Sequence, residues 1–369
     1  MLLTKVANRI NVIVKDKGKV YRYAGDEFTI ILENTDDVDF QRIAREVVEE
    51  IAKPIDLEGF ETVVTASIGI SVFPRDSKDA EGLLRMADHA MYYAKRQGRN
   101  NYQIYANNTM GHTTNNLKME TLLHKALEKK ELYLHYQPQV NAITKKIGGM
   151  EALLRWENDS LGVVSPVDFI PLAEETGMII PIGEWVIFEA CRQNKEWQKQ
   201  GLPTVPVSVN LSLRQFYQTD LVEKISLILM ETELDPEFLE LEITESSAVQ
   251  ADTAIQVLND LKALGIKIAI DDFGTGYSSL NHLRRFPIDH LKIDRAFVKD
   301  LQKDEDDRSI IATIIALGHS LKLEVIAEGV ETPEQVEFLE SLSCDMLQGY
   351  LFSKPIEARA IPEVFRKFS

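Results

Sequence analysis

The apolar positions of the first hundred residues change period several times. Leu2 to Val14 repeat at helical spacing. Lys19 to Leu32 alternate around Gly25, Asp26 and Glu27, which predicts a hairpin with two carboxylates at its tip. Phe40 to Ile51 reads as an amphipathic helix. Glu61 to Phe73 alternates in the strand manner and stops at Pro74. Ala80 to Lys95 is a helix ending near Gly98, and residues 101–105 form a short strand. These elements predict an α+β unit over residues 1–106. The polar, Asn- and Thr-rich stretch that follows predicts a linker over 107–116.

From 117 to 369 the rhythm is different. Apolar runs recur, each ends in polar residues, and helical stretches separate most of them: GGMEALLRW, VPVSVNLS, FLELEITES, KIAIDDFGTG, IDHLKIDRAF, EVIAEGVET and MLQGYLF. The length and repeat number predict an α/β unit built as a TIM-like (β/α)8 barrel. A doubly wound open sheet is the alternative.

Composition narrows the function. With 58 acidic and 41 basic residues, the net charge of -17 argues against a grip on a nucleic-acid polymer. Cys191 and Cys344 are far apart in sequence, which fits a reducing cytoplasm. No apolar run reaches membrane length, and the first residues lack a secretory signal. The chain opens mid-helix without a cap, so a longer parent is expected, and a membrane tether in that parent stays open.

In a barrel, polar residues at the C-terminal strand ends converge on one face. Here those ends offer Glu151, Asn210, Glu242, Asp271, Asp272, Lys292, Glu328 and Gln348. Carboxylates with an amide oxygen suit hard cations, Mg²⁺ or Mn²⁺, whereas the seven histidines are scattered. The Asp271–Asp272 pair fits a bridge between two ions, or else a helix cap or turn. Gly274 and Gly276 allow a loop that positions these aspartates, with Glu245 and Glu331 as braces. Lys292 points into the mouth, for an attacking water or phosphate charge, or for an ordinary ion pair with Asp294. Arg155, four residues after Glu151, shares its face and suits a phosphate oxygen. The residues alone predict a two-metal phosphodiesterase.

Several motifs of this region, YQPQV, EALLRW, SVNLS, ELEITES, DDFGTGYSSL, LKIDRAFV, AEGVET and QGYLFSKP, resemble the EAL family of cyclic di-GMP phosphodiesterases. The resemblance implies metal-dependent hydrolysis of cyclic di-GMP to linear pGpG. By position, Glu151, Asn210, Glu242 and Asp271 resemble ligands of a first ion, and Asp271 with Asp272 those of a second. Lys292 is similar to the lysine at the nucleophilic water, and Gln348 to a glutamine near water or substrate. Glu328 resembles a base or metal-site glutamate, and Glu245 the glutamate that fixes the DDFGTG loop; both belong to the catalytic set. Gln137 and Arg155 resemble contacts to guanine and phosphate, and Glu331 is placed with them in the substrate-binding set. The full acidic set favours catalysis over the alternative, a non-catalytic cyclic di-GMP receptor. Family likeness also implies a homodimer through this domain.

The first unit resembles the later part of the GGDEF diguanylate cyclase family, with AGDEF for GGDEF, then SIGISVFP and LLRMADHAMYYAKRQGRNNYQIY. The strand that would carry the other metal-binding aspartate has no counterpart. Lys15 and Gly18 stand where an RxxD motif would have Arg and Asp. Gly25, Asp26 and Glu27 are therefore expected to be a degenerate cyclase motif.

Overall fold

The structure, a computed structural model, describes residues 2–25, 27–33, 37–57, 60–96, 100–105, 112–244, 252–274, 283–299, 301 and 305–368. The chain divides into two compact units, Met1–Asn115 and Asn116–Ser369.

In the first unit, helix Leu2–Val14 leads into a hairpin of β1 (Gly18–Ala24) and β2 (Glu27–Leu32). Gly25 has φ +47°, a left-handed conformation that glycine adopts without Cβ strain, and the Arg22 guanidinium donates to its carbonyl at 2.7 Å. Glu27 is exposed. Asp26 lies outside the described residues. Helix Asp37–Ile51 packs Ile43, Val47 and Ile51 against Val6, Ile10 and Val14 of the first helix, and Phe28 and Ile30 of β2 cover them. This is the apolar stripe that the 3.6-residue period demanded.

The strand expected over 61–73 is interrupted. Phe60–Thr62 (β4) pairs antiparallel with Ile55–Leu57 (β3), and Ile68–Ile70 (β5) pairs parallel with Tyr102–Ile104 (β6). Residues 63–67 join no ladder, so two short pairings replace one long strand. Helix Ala80–Arg96 connects β5 to β6. Of the expected linker, residues 107–111 lie outside the described ones, and from His112 the chain is helical to Ala126.

The second unit opens with β7 (Leu132–Asn141) and β8 (Ile147–Asn158), followed by the short β9 (Gly162–Val164). Then come β10 (Val207–Asn210), β11 (Leu239–Thr244), β12 (Lys267–Phe273), β13 (His290–Ile293), β14 (Glu324–Ala327), β15 (Met346–Gln348) and β16 (Ile356–Glu357). The order β7-β15-β14-β13-β12-β11-β10-β8 closes on itself through the β7–β8 pairing, so eight strands form a barrel, with β9 and β16 as additions.

This barrel departs from the regular repeat at one strand. β7 runs antiparallel to both β8 and β15, while the other neighbours are parallel. The cause is local. Only a turn joins β7 to β8, and Asn141 Oδ1 accepts the N–H groups of Ile143 and Thr144 within it. A parallel return would need a crossover of a dozen or more residues.

Alternation along the strands divides the two faces. Trp156, Val207, Val209, Leu241, Ile243, Ile268, Ile270, Leu291 and Val325 are buried in the shell beneath the helices. Helices Pro166–Thr176 and Ile179–Lys199 supply Phe169 and Trp197, which meet Trp156 and Tyr136 edge-on. Each such residue fully buried contributes roughly 1.5–3 kcal/mol. The opposite face, lining the lumen, carries Ala269, Ile326 and Met346 but is mostly polar: Gln137, Gln139, Glu151, Ser208, Glu240, Glu242, Asp271, His290, Lys292 and Gln348 are all buried.

Candidate active site

The centre of the barrel mouth is an ammonium group. Lys292 on β13 is fully buried. Its Nζ lies 2.7 Å from Glu242 Oε2 on β11, 2.7 Å from Glu328 Oε1 after β14, 3.3 Å from Asp271 Oδ1 on β12 and 3.9 Å from Glu151 Oε1 on β8. Four carboxylates, three from strands and one from the segment just after β14, thus converge on one cation. Burial opposes the lysine charge, but Asp271, Glu151, Glu242 and Glu328 outweigh it and hold the amine well above the ordinary lysine range.

The carboxylates are raised in turn. Burial pushes Glu242 well above the usual carboxylate range, against the pull of Lys292, with Glu151 and Asp271 adding to the rise. Glu328 is pushed up to about 8 by burial, with the Asp271 and Glu151 charges adding. Asp272 is exposed, yet loss of solvent to the surrounding protein and the Asp271 charge push it up to about 7.

Neighbouring residues of a strand face opposite ways. At Asp271–Asp272 the ladder to β13 shifts register between Ile270 and Phe273. Asp272 takes φ 54°, and its N–H donates to Asp271 Oδ1 at 2.9 Å. This break in the alternation places two successive aspartates at one mouth, as bulges beside active sites do.

Glu151 is held by amides. Asn210 Nδ2 donates to its Oε1 at 2.8 Å, and Gln348 Nε2 donates to its Oε2. Gln348 also donates to Gln137 Oε1 at 3.3 Å and accepts from Gln139 Nε2 at 3.1 Å. Gly149 makes room for that chain: a Cβ there would stand 2.3 Å from Gln139 Oε1. Gln137 Nε2 donates to the Ser353 carbonyl.

The remaining residues named from sequence fall as follows. Arg155 is half-buried and donates to its neighbour's carbonyl, Leu154 O, at 2.8 Å. Glu331 stands apart from the cluster: its side chain is exposed, and its N–H donates to Gln335 Oε1. Glu245 and loop residues 275–282 lie outside the described residues. Gln139 was missed, although its two-residue spacing from Gln137 marks it. Glu240, Ser208 and His290 were missed as well. Their signal was the Glu-Leu-Glu alternation of β11, but the partner of Glu240 sits fifty residues away.

Among the described residues, no group of three or more His, Cys, Asp or Glu side chains is gathered as a metal cage, since the acids converge on Lys292 instead. One observation fits a cation all the same. Glu242 Oε1 is buried without a hydrogen-bond partner, while its other oxygen binds Lys292. An orphaned carboxylate oxygen beside three further acids suits a hard divalent ion.

A closed barrel with acids gathered at its C-terminal strand ends defines the (β/α)8-barrel class, in which chemistry sits on that face. The chain belongs to the EAL domain family, whose description matches residues 121–355; residues 1–101 match the diguanylate cyclase, GGDEF domain. It is 43% identical to the bifunctional diguanylate cyclase/cyclic di-GMP phosphodiesterase MucR of Pseudomonas aeruginosa, over 98% of this chain and 53% of that protein. It is 39% identical to the cyclic di-GMP phosphodiesterase NbdA of the same organism, over 100% of this chain and 47% of that protein. The chain therefore spans about half the length of these relatives. The solved PaMucR phosphodiesterase, in complex with c-di-GMP, is similar with a TM-score of 0.65 and 47% identity, covering 66% of this chain and 99% of that one.

Proposed function

We propose that the second unit hydrolyses cyclic di-GMP to linear pGpG, using two divalent ions, Mg²⁺ or Mn²⁺, in bacterial second-messenger signalling. The observation that carries this reading is the buried, partnerless Glu242 Oε1 within a ring of acids. The names of the relatives and the ligand of the PaMucR structure support it.

Glu151, Asn210, Glu242 and Asp271 would hold one ion, and Asp271 with Asp272 the other. Bound there, such ions would lower the pKa of a water and offset the charge of the scissile phosphate. Lys292 donates to the attacking oxygen and remains charged because so many carboxylates face it. Glu328, near neutrality in its protonation, accepts or returns a proton beside that lysine. Gln348 orients Glu151 and stands at the water or substrate. Gln137 and Arg155 meet the guanine and phosphate. Glu331 is kept in the substrate-binding set, and Glu245 is kept as the anchor of the DDFGTG loop.

The same reading assigns a cytoplasmic location, no nucleic-acid polymer as partner and a homodimer through the EAL domain. Among the described residues no helix is long and apolar enough to cross a membrane. Light scattering of the purified chain tests the dimer. The first unit keeps Gly25, Asp26 and Glu27 as a degenerate cyclase motif, and no GTP condensation is assigned to it.

The decisive experiment is chromatography of cyclic di-GMP incubated with the protein and Mn²⁺ or Mg²⁺. We expect pGpG, suppressed by EDTA. Binding without pGpG under every divalent ion would make the chain a receptor.

A further inference from the structure

Beneath the mouth lies a second charged layer. Two residues before Glu242, on the same face of β11, is Glu240, 1% exposed. Two residues before Lys292, on the same face of β13, is His290, 7% exposed. The pairing of the mouth is thus repeated one step down: His290 Nδ1 meets Glu240 Oε2 as Lys292 meets Glu242. Between them β12 presents Ala269, opposite Glu242 on one side and His290 on the other, with Asp271 two residues further toward the mouth. The small alanine lets side chains of alternate strands meet, as they do in layered barrels.

The lower layer is otherwise fully bonded. Ser208 Oγ on β10 donates to Glu240 Oε1 at 2.7 Å. His290 Nε2 lies 3.1 Å from Glu324 Oε2 on β14, a carboxylate 63% exposed. A carboxylate at each ring nitrogen favours the doubly protonated ring, in which both nitrogens donate. Burial and the Lys267 charge oppose that state, yet Glu240 and Glu324 raise the histidine to about 9.

Interiors of such barrels are ordinarily packed with branched apolar side chains. A buried carboxylate at position 240 is costly unless paired. Left alone, it would offer Lys292 a competing anion below, and its charge also bears on Glu242. The Lys292 ammonium already has acids on several sides, so its position depends on the balance of charge above and below it.

We propose that His290 is a positioning residue for Lys292: its charge cancels that of Glu240 in the layer beneath, which keeps the ammonium up with Glu242 and Glu328 at the mouth. The effect on turnover rests on the phosphodiesterase reading above. The position of the ammonium does not.

The test compares His290→Gln, Glu240→Gln and the double variant. In each, the ¹H–¹⁵N resonance of the Lys292 ammonium is followed in the metal-free chain, and kcat and KM for cyclic di-GMP are measured with Mn²⁺. In His290→Gln the ammonium resonance should move. kcat should fall by about tenfold or more, with KM changed by less than about threefold. Adding Glu240→Gln removes the stranded anion. It should return the resonance and bring kcat back to within about threefold of the parent. A double variant no better than His290→Gln overturns the proposal, because lost packing would give that result. If His290→Gln does not fold, His290→Lys decides: a cation kept in that layer should leave the ammonium resonance and kcat near those of the parent, and a displaced resonance with a loss of kcat of about tenfold overturns the proposal. If the parent yields no pGpG, the hydrolase reading fails, and the ammonium resonance still decides the positioning.

Discussion

Lys292 and Glu242 meet at 2.7 Å, and both side chains are wholly withdrawn from water. The pair survives burial because Glu328 and Asp271 also reach the ammonium. Lys292→Ala removes the one cation among the acids that converge on it. We expect kcat to fall by at least about a hundredfold with ligand affinity much less changed, as for a group acting mainly in the transition state. Isothermal titration beside steady-state kinetics separates the two, and equal losses would make the lysine a substrate holder. Without metal the variant should also melt earlier, since breaking a buried pair costs about 3–5 kcal/mol.

Glu151 accepts from both Asn210 and Gln348, so its orientation is fixed before any ligand arrives. Glu151→Ala should abolish pGpG formation in Mg²⁺ and in Mn²⁺. Unimpaired turnover would sink the assignment of this carboxylate as a metal ligand.

The raised acids would make uptake of the proposed ions a proton-releasing event. Glu328 at about 8 and Asp272 at about 7 both sit above their unfolded values. The native state therefore holds more protons than the unfolded one, so these groups make metal-free stability fall as pH rises from about 4.5 to 8. A divalent ion reverses that penalty. Melting curves in EDTA should move down from pH 6 to pH 8, and the rise on adding Mn²⁺ should be larger at pH 8. Calorimetry in buffers of different ionisation enthalpy should find protons released near pH 7. Zero release would contradict the protonated state of this mouth.

His290 gives a window of the same sign by a different route. Its folded value, about 9, lies above the ordinary 6.5. Its contribution is fully present below pH 6.5 and is lost as pH rises through 9, on the order of 3 kcal/mol in all. Glu240 shares that one interaction, so its lowered pKa is not added again. Denaturant titrations of the metal-free chain between pH 6.5 and 9 should show the slope, and Glu240→Gln/His290→Gln should flatten it.

Much of this site was legible in the alternation of the strands. Polar residues ending each apolar run pointed to one face, and Glu151, Glu242, Asp271, Lys292, Glu328 and Gln348 do gather there. What stayed hidden depended on register between strands distant in sequence. Nothing near Glu240 names His290, and a lone histidine among seven carries no signal by itself. The register shift at Asp271–Asp272 was equally invisible, because a bulge is set by the neighbouring strand. The reversal of β7 had a trace in the short turn at Asn141, but the rhythm of the later strands overrode it. In the first unit, the alternation of 61–73 promised one strand. Period alone does not say where partners end, and here the pairings stop at Thr62 and resume at Ile68.

The reversed strand bears on biosynthesis. β7 and β8 zip together early, because only a turn separates them, but the ring shuts only when β15 finds β7 from some two hundred residues away. A nascent chain that has not reached Met346–Gln348 has at most an open sheet with two bare edges, and it lacks one of the two amides that hold Glu151. Ring closure and completion of the mouth are thus a single event. Interruption of synthesis before β15 therefore leaves a product whose mouth is incomplete and whose bare strand edges invite pairing with other chains.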